Sequence, residues 1–338
     1  MKQMKFGKML GLKNWTMKKL FIMVSSMLLL THAEINVAQT YPTKPIKVVI
    51  AIAAGSSGDI LLRQVLPKMS QILGQSIFVE NRPGASGQIG TSAVTKAPPD
   101  GYTFLFAYSQ TIAVNPSLIK NLSYDPINEL TPVGRVASQP LVFAVSKALP
   151  IKNVQEFIAY GKTNRGKLNF ASSGNGTSAH LAGAYISQLA DINAVHAPYN
   201  SVPQALVDLS RGDVGYMLYP YPGLLPVLNS DKALAVAVTG PKRSSFLPQL
   251  PTMVELGYSS FVMGPWYAFY APKETPKDIV DKVNSALNTV LADKEIHKLF
   301  AESGTDPWPS SPEELGRFSV SEINRYRELI QISGAKSE

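Results

Sequence analysis

From Ile46 to Ile52 the chain reads Ile-Lys-Val-Val-Ile-Ala-Ile, an almost unbroken apolar, β-branched run that predicts a buried strand. Small residues follow from Ala53 to Gly58, and apolar positions then recur at Leu62, Leu66, Met69 and Leu73, the spacing of one helix face. The pattern predicts strand, tight loop and helix. It returns once: Leu168–Ala171 leads through Ser172–Ser178 into a helix with Leu181, Tyr185 and Leu189 on one side. Ile77–Glu80, Tyr102–Ala107, Leu141–Val145, Val214–Tyr219 and Ala233–Val238 predict further strands. Strands alternating with helices predict an α/β protein with mostly parallel sheets flanked by helices.

The remaining helices announce their starts. Asn153-Val154-Gln155-Glu156 has capping-box spacing, and Ser201–Gln204 is box-like. Thr275-Pro276-Lys277-Asp278 and Ser311-Pro312-Glu313-Glu314 each combine a cap residue, a proline and an acid. Apolar stripes at Ile279, Val283, Ala286 and Val290, and at Leu315, Phe318, Ile323, Tyr326 and Ile330, predict core packing.

The two small-residue loops carry the candidate chemistry. Backbone N–H groups at a helix start lack internal partners and sit at the positive end of the helix dipole, so such a loop suits a carboxylate or phosphate. Two of them half a chain apart suggest two lobes gripping one ligand. Gly55, Ser56, Ser57, Gly58 and Asp59 form the first expected half of the clamp, and Ser172, Ser173, Gly174, Asn175, Gly176 and Thr177 the second. Asp59 has two readings, stabilising the helix start or accepting a hydrogen bond from the ligand. His180, just inside the second helix, is read as neutral and either packed at the lobe surface or touching ligand. Ser109, Tyr199 and Tyr219 are expected near the ligand at strand tips, where Tyr108, Tyr221 and Trp266 also lie.

Charge and composition narrow the class. The chain of 338 residues carries a formal charge of +8, but six lysines and no acids lie within the first 33 residues, ahead of and around an apolar run from Leu20 to Leu30 that ends Thr31-His32-Ala33. That segment reads as a secretory signal peptide, residues 1–33, with Met1 or Met17 as its start. Its removal leaves about +2, and no later stretch interleaves clustered cations with aromatics, so no nucleic-acid partner is expected. There are no cysteines, hence no disulfide and no lipid-bearing Cys after the signal. Scattered histidines argue no metal site, and no cofactor motif is present. The enzyme reading is reduced to a secreted serine hydrolase using Ser172 or Ser173 with His180, for which no orienting acid stands out.

Tyr41-Pro42-Thr43-Lys44-Pro45-Ile46, Val79-Glu80-Asn81-Arg82-Pro83-Gly84-Ala85, Pro99-Asp100-Gly101-Tyr102-Thr103, Tyr124-Asp125-Pro126 and Ala171–Thr177 together resemble the Bug family, the TctC-like solute-binding receptors of tripartite tricarboxylate transporters. The likeness runs from about Tyr41 to Lys336. It implies a two-lobed, clam-shell (type II) periplasmic binding protein, with lobe 1 at 41–138 plus 264–338 and lobe 2 at 139–263. It implies a monomer that captures a small organic acid and delivers it to a membrane permease; sensing through a signalling partner is the alternative use. Ala53-Ala54 stand where the family commonly has prolines, Asn200 where a Lys is common, and Tyr219-Pro220-Tyr221-Pro222 is unlike the usual segment. The last two departures point to a ligand with an aromatic or apolar body, and the first bears on the geometry of the loop.

Overall fold

A computed structural model describes residues 41–335. The expected signal segment lies outside them. Tyr41–Thr43 belong to an N-terminal unit, and the architecture below is that of the unit beginning at Lys44. Among the described residues no helix is long and apolar enough to cross a membrane.

The elements follow in the order β1 (Ile46–Ile50), α1 (Ser57–Leu73), β2 (Ile77–Asn81), α2 (Gln88–Thr95), β3 (Thr103–Tyr108), a π turn (Gln110–Val114), α3 (Asn115–Leu118) and β4 (Leu130–Ser138). Then come β5 (Leu141–Ser146), α4 (Val154–Thr163), β6 (Asn169–Ser172), α5 (Ser178–Leu189), β7 (Val195–Pro198), α6 (Val202–Arg211), β8 (Tyr216–Pro220), α7 (Tyr221–Asn229) and β9 (Ala233–Val238). The chain ends with β10 (Trp266–Pro272), α8 (Lys277–Leu291), α9 (Lys294–Glu302), β11 (Asp306–Pro307) and α10 (Pro312–Ser333).

Two sheets result, each flanked by helices, in a two-lobed α/β fold. The first has strand order β11-β4-β10-β3-β1-β2, the second β7-β6-β8-β5-β9. The sheets are mixed rather than mostly parallel, since five of the nine strand pairings are antiparallel. The cause is the passage of the chain between sheets. Strands β1 and β3 run toward the junction and are parallel as the sequence pattern predicts, whereas β10 enters the first sheet from that junction and must run against them. Strand β5 enters the second sheet in the same way, between β8 and β9.

The crossing segments touch. Gln139 N–H donates to the Pro265 carbonyl at 2.8 Å, and a Cβ on Gly264, whose φ is +135°, would fall 2.3 Å from the Gln139 carbonyl oxygen, so only glycine fits there. Farther along the junction, Asp306 of β11 accepts from the Ser244 and Ser245 hydroxyls and the Ser245 N–H. Helix α10 spans both sheets' territory, packing on β4, the π turn and α5. One hydrophobic cluster joins the two sheets, with Val49 and Leu105 on one side and Phe143, Phe170 and Tyr216 on the other.

Of the predicted helix starts, Asn153 accepts from the Glu156 N–H, and Ser311 forms a complete capping box with Glu314. Ser201 makes no side-chain cap bond, and the Thr275 hydroxyl turns back to the Pro272 carbonyl at 2.8 Å. In both cases a nearby carbonyl or solvent competes for a hydroxyl that the spacing alone assigns to the helix.

Candidate functional site

A cleft of about 280 Å³ opens between the sheets. From the first sheet come Ile52 and Ser56–Gly58 after β1, Tyr108 at the end of β3 with Ser109 and Gln110 after it, and Tyr267 on β10; from the second come Ser173 and Thr177–Ala179 after β6, and Tyr219 on β8. Most of these sit at the carboxyl ends of strands, the place where open α/β sheets bind ligands. Gln139 and Pro265 of the crossings close the back. No lining residue is an Asp, Glu, Lys, Arg or His.

The starts of α1 and α5 both point into this cleft. The Ile60 N–H is the first of α1 to find a backbone acceptor, Ser56 O at 2.9 Å, so the N–H groups of Ser57, Gly58 and Asp59 have no acceptor among the described residues. At α5 the Thr177 hydroxyl caps the His180 N–H at 3.3 Å and Leu181 N–H bonds to Thr177 O, leaving Ser178 and Ala179 N–H groups without one. Gly58 is needed for this approach: a Cβ there would lie 2.8 Å from both the Ile52 Cδ1 and the Tyr267 ring. Tyr267 in turn stacks on Phe106 at 5.6 Å.

The first loop is braced from behind by Asp59, which is 2% exposed and does not line the cleft. Its Oδ2 accepts from Gly55 N–H at 2.9 Å and Arg63 Nε at 3.0 Å, its Oδ1 from the Asn81 amide at 2.9 Å. Burial works to raise its pKa, but Arg63, the Gly55 N–H and Asn81 outweigh it and hold the carboxyl below its ordinary value. Of the two readings of Asp59, the structure places it as a brace of the loop and helix start, and the Gly55 N–H bonds to it. Ser56 lines the cleft, although its hydroxyl donates to Ala53 O at 2.8 Å.

The second loop is braced similarly. Ser172 is fully buried; its hydroxyl donates to Gly174 O at 3.0 Å, accepts from Gly174 N–H at 3.1 Å and lies 2.7 Å from His196 Nε2. Gly176 N–H donates to His180 Nδ1 at 3.1 Å. His180 lies on the side away from the cleft, its ring stacked on His196 at 3.8 Å and 8°. Burial and the neighbouring His196 lower its pKa to about 4. Thus Ser172, Gly174, Gly176 and His180 shape the loop and do not line the cleft, and Asn175 is exposed outside it. The seryl hydroxyl with an imidazole partner is Ser172, its partner is His196 and not His180, and it is buried off the cleft.

Tyr199 also leaves the site, because Asp208 captures its phenol at 2.8 Å. Of the remaining expectations, Ser57, Gly58, Ser109, Ser173, Thr177 and Tyr219 do converge on the cleft. Burial raises the phenol pKa of Tyr108 to about 12 and that of Tyr219 above its ordinary value, so both remain protonated donors. Three contributors escaped the sequence reading. Tyr267 is one residue from Trp266, and strand alternation turns one into the cleft and the other to Glu322, whose carboxylate accepts the Trp266 indole N–H at 2.9 Å. Gln110 and Gln139 belong to no motif; only their places, at a strand tip and at a crossing, mark them.

Two α/β lobes joined by paired crossings, with helix starts facing one another across a cleft, define a periplasmic solute-binding protein. The chain belongs to the tripartite tricarboxylate transporter receptor family, whose profile matches residues 61–335. It is 35% identical to Protein BugT of Bordetella pertussis, over 88% of this chain and 92% of that one. Among solved structures it is similar to Rpa4515 of Rhodopseudomonas palustris with adipate (30% identity, 88% and 99% of the two chains, TM-score 0.70) and to MatC of the same organism with bound malate (28%, 86% and 100%, TM-score 0.66). Members of the family are periplasmic solute receptors rather than enzymes.

Proposed function

We propose that this chain captures a small organic carboxylate with an aromatic or otherwise apolar body, between a lobe of residues 41–138 plus 264–338 and a lobe of 139–263. It then delivers the acid, as a monomer and without metal or cofactor, to a permease of the tripartite tricarboxylate type. The observation that carries this reading is the pair of helix starts, Ser57–Gly58 and Ser178–Ala179, whose N–H groups, without acceptors among the described residues, meet across a cleft with no charged side chain. The adipate and malate held by the two relatives support an acid as the ligand class. Tyr108, Tyr219 and Tyr267 supply ring faces for a flat body and phenol donors for its edge. Closure follows from contacts that the acid makes with both lobes only when they meet.

The test is a thermal-shift panel on the chain begun at Glu34: adipate, malate, citrate, benzoate, 4-hydroxybenzoate and the matching amides. A binder at a hundredfold excess over Kd adds about 2.7 kcal/mol, a readable shift. The reading expects an aromatic acid to shift most, and Ser173→Ala or Tyr219→Phe to reduce the shift. Silence from every acid overturns it.

A further inference from the structure

Behind the second loop, on the face of the lobe away from the cleft, two imidazoles lie in parallel contact beside a cavity of about 460 Å³. The backbone contact of His180 settles which of its ring nitrogens carries the proton. Ser172 Oγ lies 3.0 Å from Gly174 O and 2.7 Å from His196 Nε2, and its single hydroxyl hydrogen serves one of the two. His180 Nδ1 receives the Gly176 N–H and must be bare, with its proton on Nε2. Gly176 itself sits at φ +72°, in a loop whose next residue caps α5 and whose neighbours Ser173 and Thr177 line the cleft.

We infer that His180 is a positioning residue for the second ligand loop, fixing Gly176 through a neutral imidazole nitrogen, so that the loop keeps its cleft-lining shape only while that ring is unprotonated. A proton taken from solvent at Nδ1 sets an N–H against the Gly176 N–H and removes the one bond that this N–H makes among the described residues. The charge would also stand at the positive end of α5 and against the His196 ring. Nothing nearby compensates. On β6 the ring faces Phe170, on β7 His196, and α10 brings the uncharged Ile332 and Ser333 to the cavity. The charged groups there, Arg165 and Asp191, are paired with each other at 2.8 Å. Burial and the second imidazole hold back protonation, which places the release in acid.

The inference rests on the ligand reading only for its consequence, so its test begins without ligand. Ring carbon signals of His180 and the backbone amide of Gly176 are followed by NMR from pH 8 to 3.5 in the chain begun at Glu34. The two are expected to titrate together while core amides such as Phe143 hold their shifts. His180→Ala is expected to speed Gly176 amide exchange about fivefold, the loss of one hydrogen bond, and His180→Asn, whose Oδ1 stands near the old Nδ1, to restore protection without titrating. A Gly176 amide that ignores His180 titration, or that stays protected in His180→Ala, overturns the inference. For any acid that binds in the panel above, Kd expressed per carboxylate form of the acid rises in the wild type about tenfold per pH unit below the His180 titration, and stays flat in His180→Asn. If no acid binds, the NMR arms still decide the loop, and the failure falls on the receptor reading alone.

Discussion

The two loops that face the cleft reach the same end with different chemistry. Each must leave the first N–H groups of its helix free while satisfying the other polar groups of a tight turn from behind. The first loop uses an anion: one buried carboxylate takes Gly55 N–H, the Asn81 amide and Arg63. The second uses neutral groups, the Ser172 and Thr177 hydroxyls and the imidazole of His180. A braced turn thus leaves donors at the cleft without a cation in its lining, and the two braces fail under different conditions. Asp59 is held below its ordinary value of 3.8 by Arg63, the Gly55 N–H and Asn81. His180 binds its proton more weakly folded, at about 4, than unfolded, at 6.5.

That difference fixes the largest expected effect. Between pH 6.5 and about 4 the unfolded chain holds a proton at His180 that the folded chain does not, so stability rises with pH across this window. The contribution is complete above pH 6.5 and lost as pH falls toward 4; integrated, it is about 3 kcal/mol. Urea unfolding at half-unit pH steps should show this slope, and His180→Asn should reduce it to the part that His196, whose pKa burial also lowers, contributes. The Asp59 contribution is instead present throughout that window and lost only below pH 3.8, as pH falls through the folded value. If both losses came in one step, the contrast between the loops would be broken. Next in size is Asp59→Ala. It should cost about 2 kcal/mol at pH 7, because the Gly55 and Asn81 donors lose a charged acceptor while Arg63, half exposed, regains water. Asp59→Asn, which keeps the shape and loses the charge, should fall between, again by urea unfolding.

Much of this was legible in the sequence, and the limit has a physical form. Apolar runs and small-residue breaks announce β1, β6 and both loops, because local burial and backbone permissiveness leave marks on neighbouring residues. The braces leave none. Asp59 is claimed by Asn81 at the far end of β2 and Ser172 by His196 on β7, partners that the sheet order brings together, and Tyr199 by Asp208, which the turn into α6 carries back to it. For the same reason a helix-start acid and a helix-start histidine looked like ligand contacts: the spacing puts them at the site without saying which side they face. The mixed sheets were hidden likewise, since strand direction is set by where β5 and β10 re-enter and not by their composition.

Tyr199 and Tyr219 sharpen the point with a smaller effect. Removing the Tyr199 hydroxyl deletes a 2.8 Å bond to Asp208, so Tyr199→Phe should cost about 1 kcal/mol of stability and leave ligand affinity within twofold. Tyr219→Phe deletes a phenol that lines the cleft and should act on affinity, measured by calorimetry, while changing stability less. An affinity loss in the first variant would mean that the second loop extends its influence through Tyr199 N–H, which donates to Ser172 O at 2.9 Å.

The smallest effect expected is that of salt, and its smallness is the informative part. In a site where an acid meets lysine or arginine, part of the affinity is an exposed charge pair that ions screen within about 8 to 10 Å at ordinary ionic strength. Here the cleft offers only backbone N–H groups at two helix starts, hydroxyls, phenols and two glutamine amides. Once the lobes close, these are short-range contacts from which ions are excluded. The affinity of a bound acid should therefore change by less than about twofold between 50 and 500 mM salt. A tenfold fall would assign the binding energy to a cation outside the described lining, and the N–H groups of Ser57–Gly58 and Ser178–Ala179 would no longer account for anion capture.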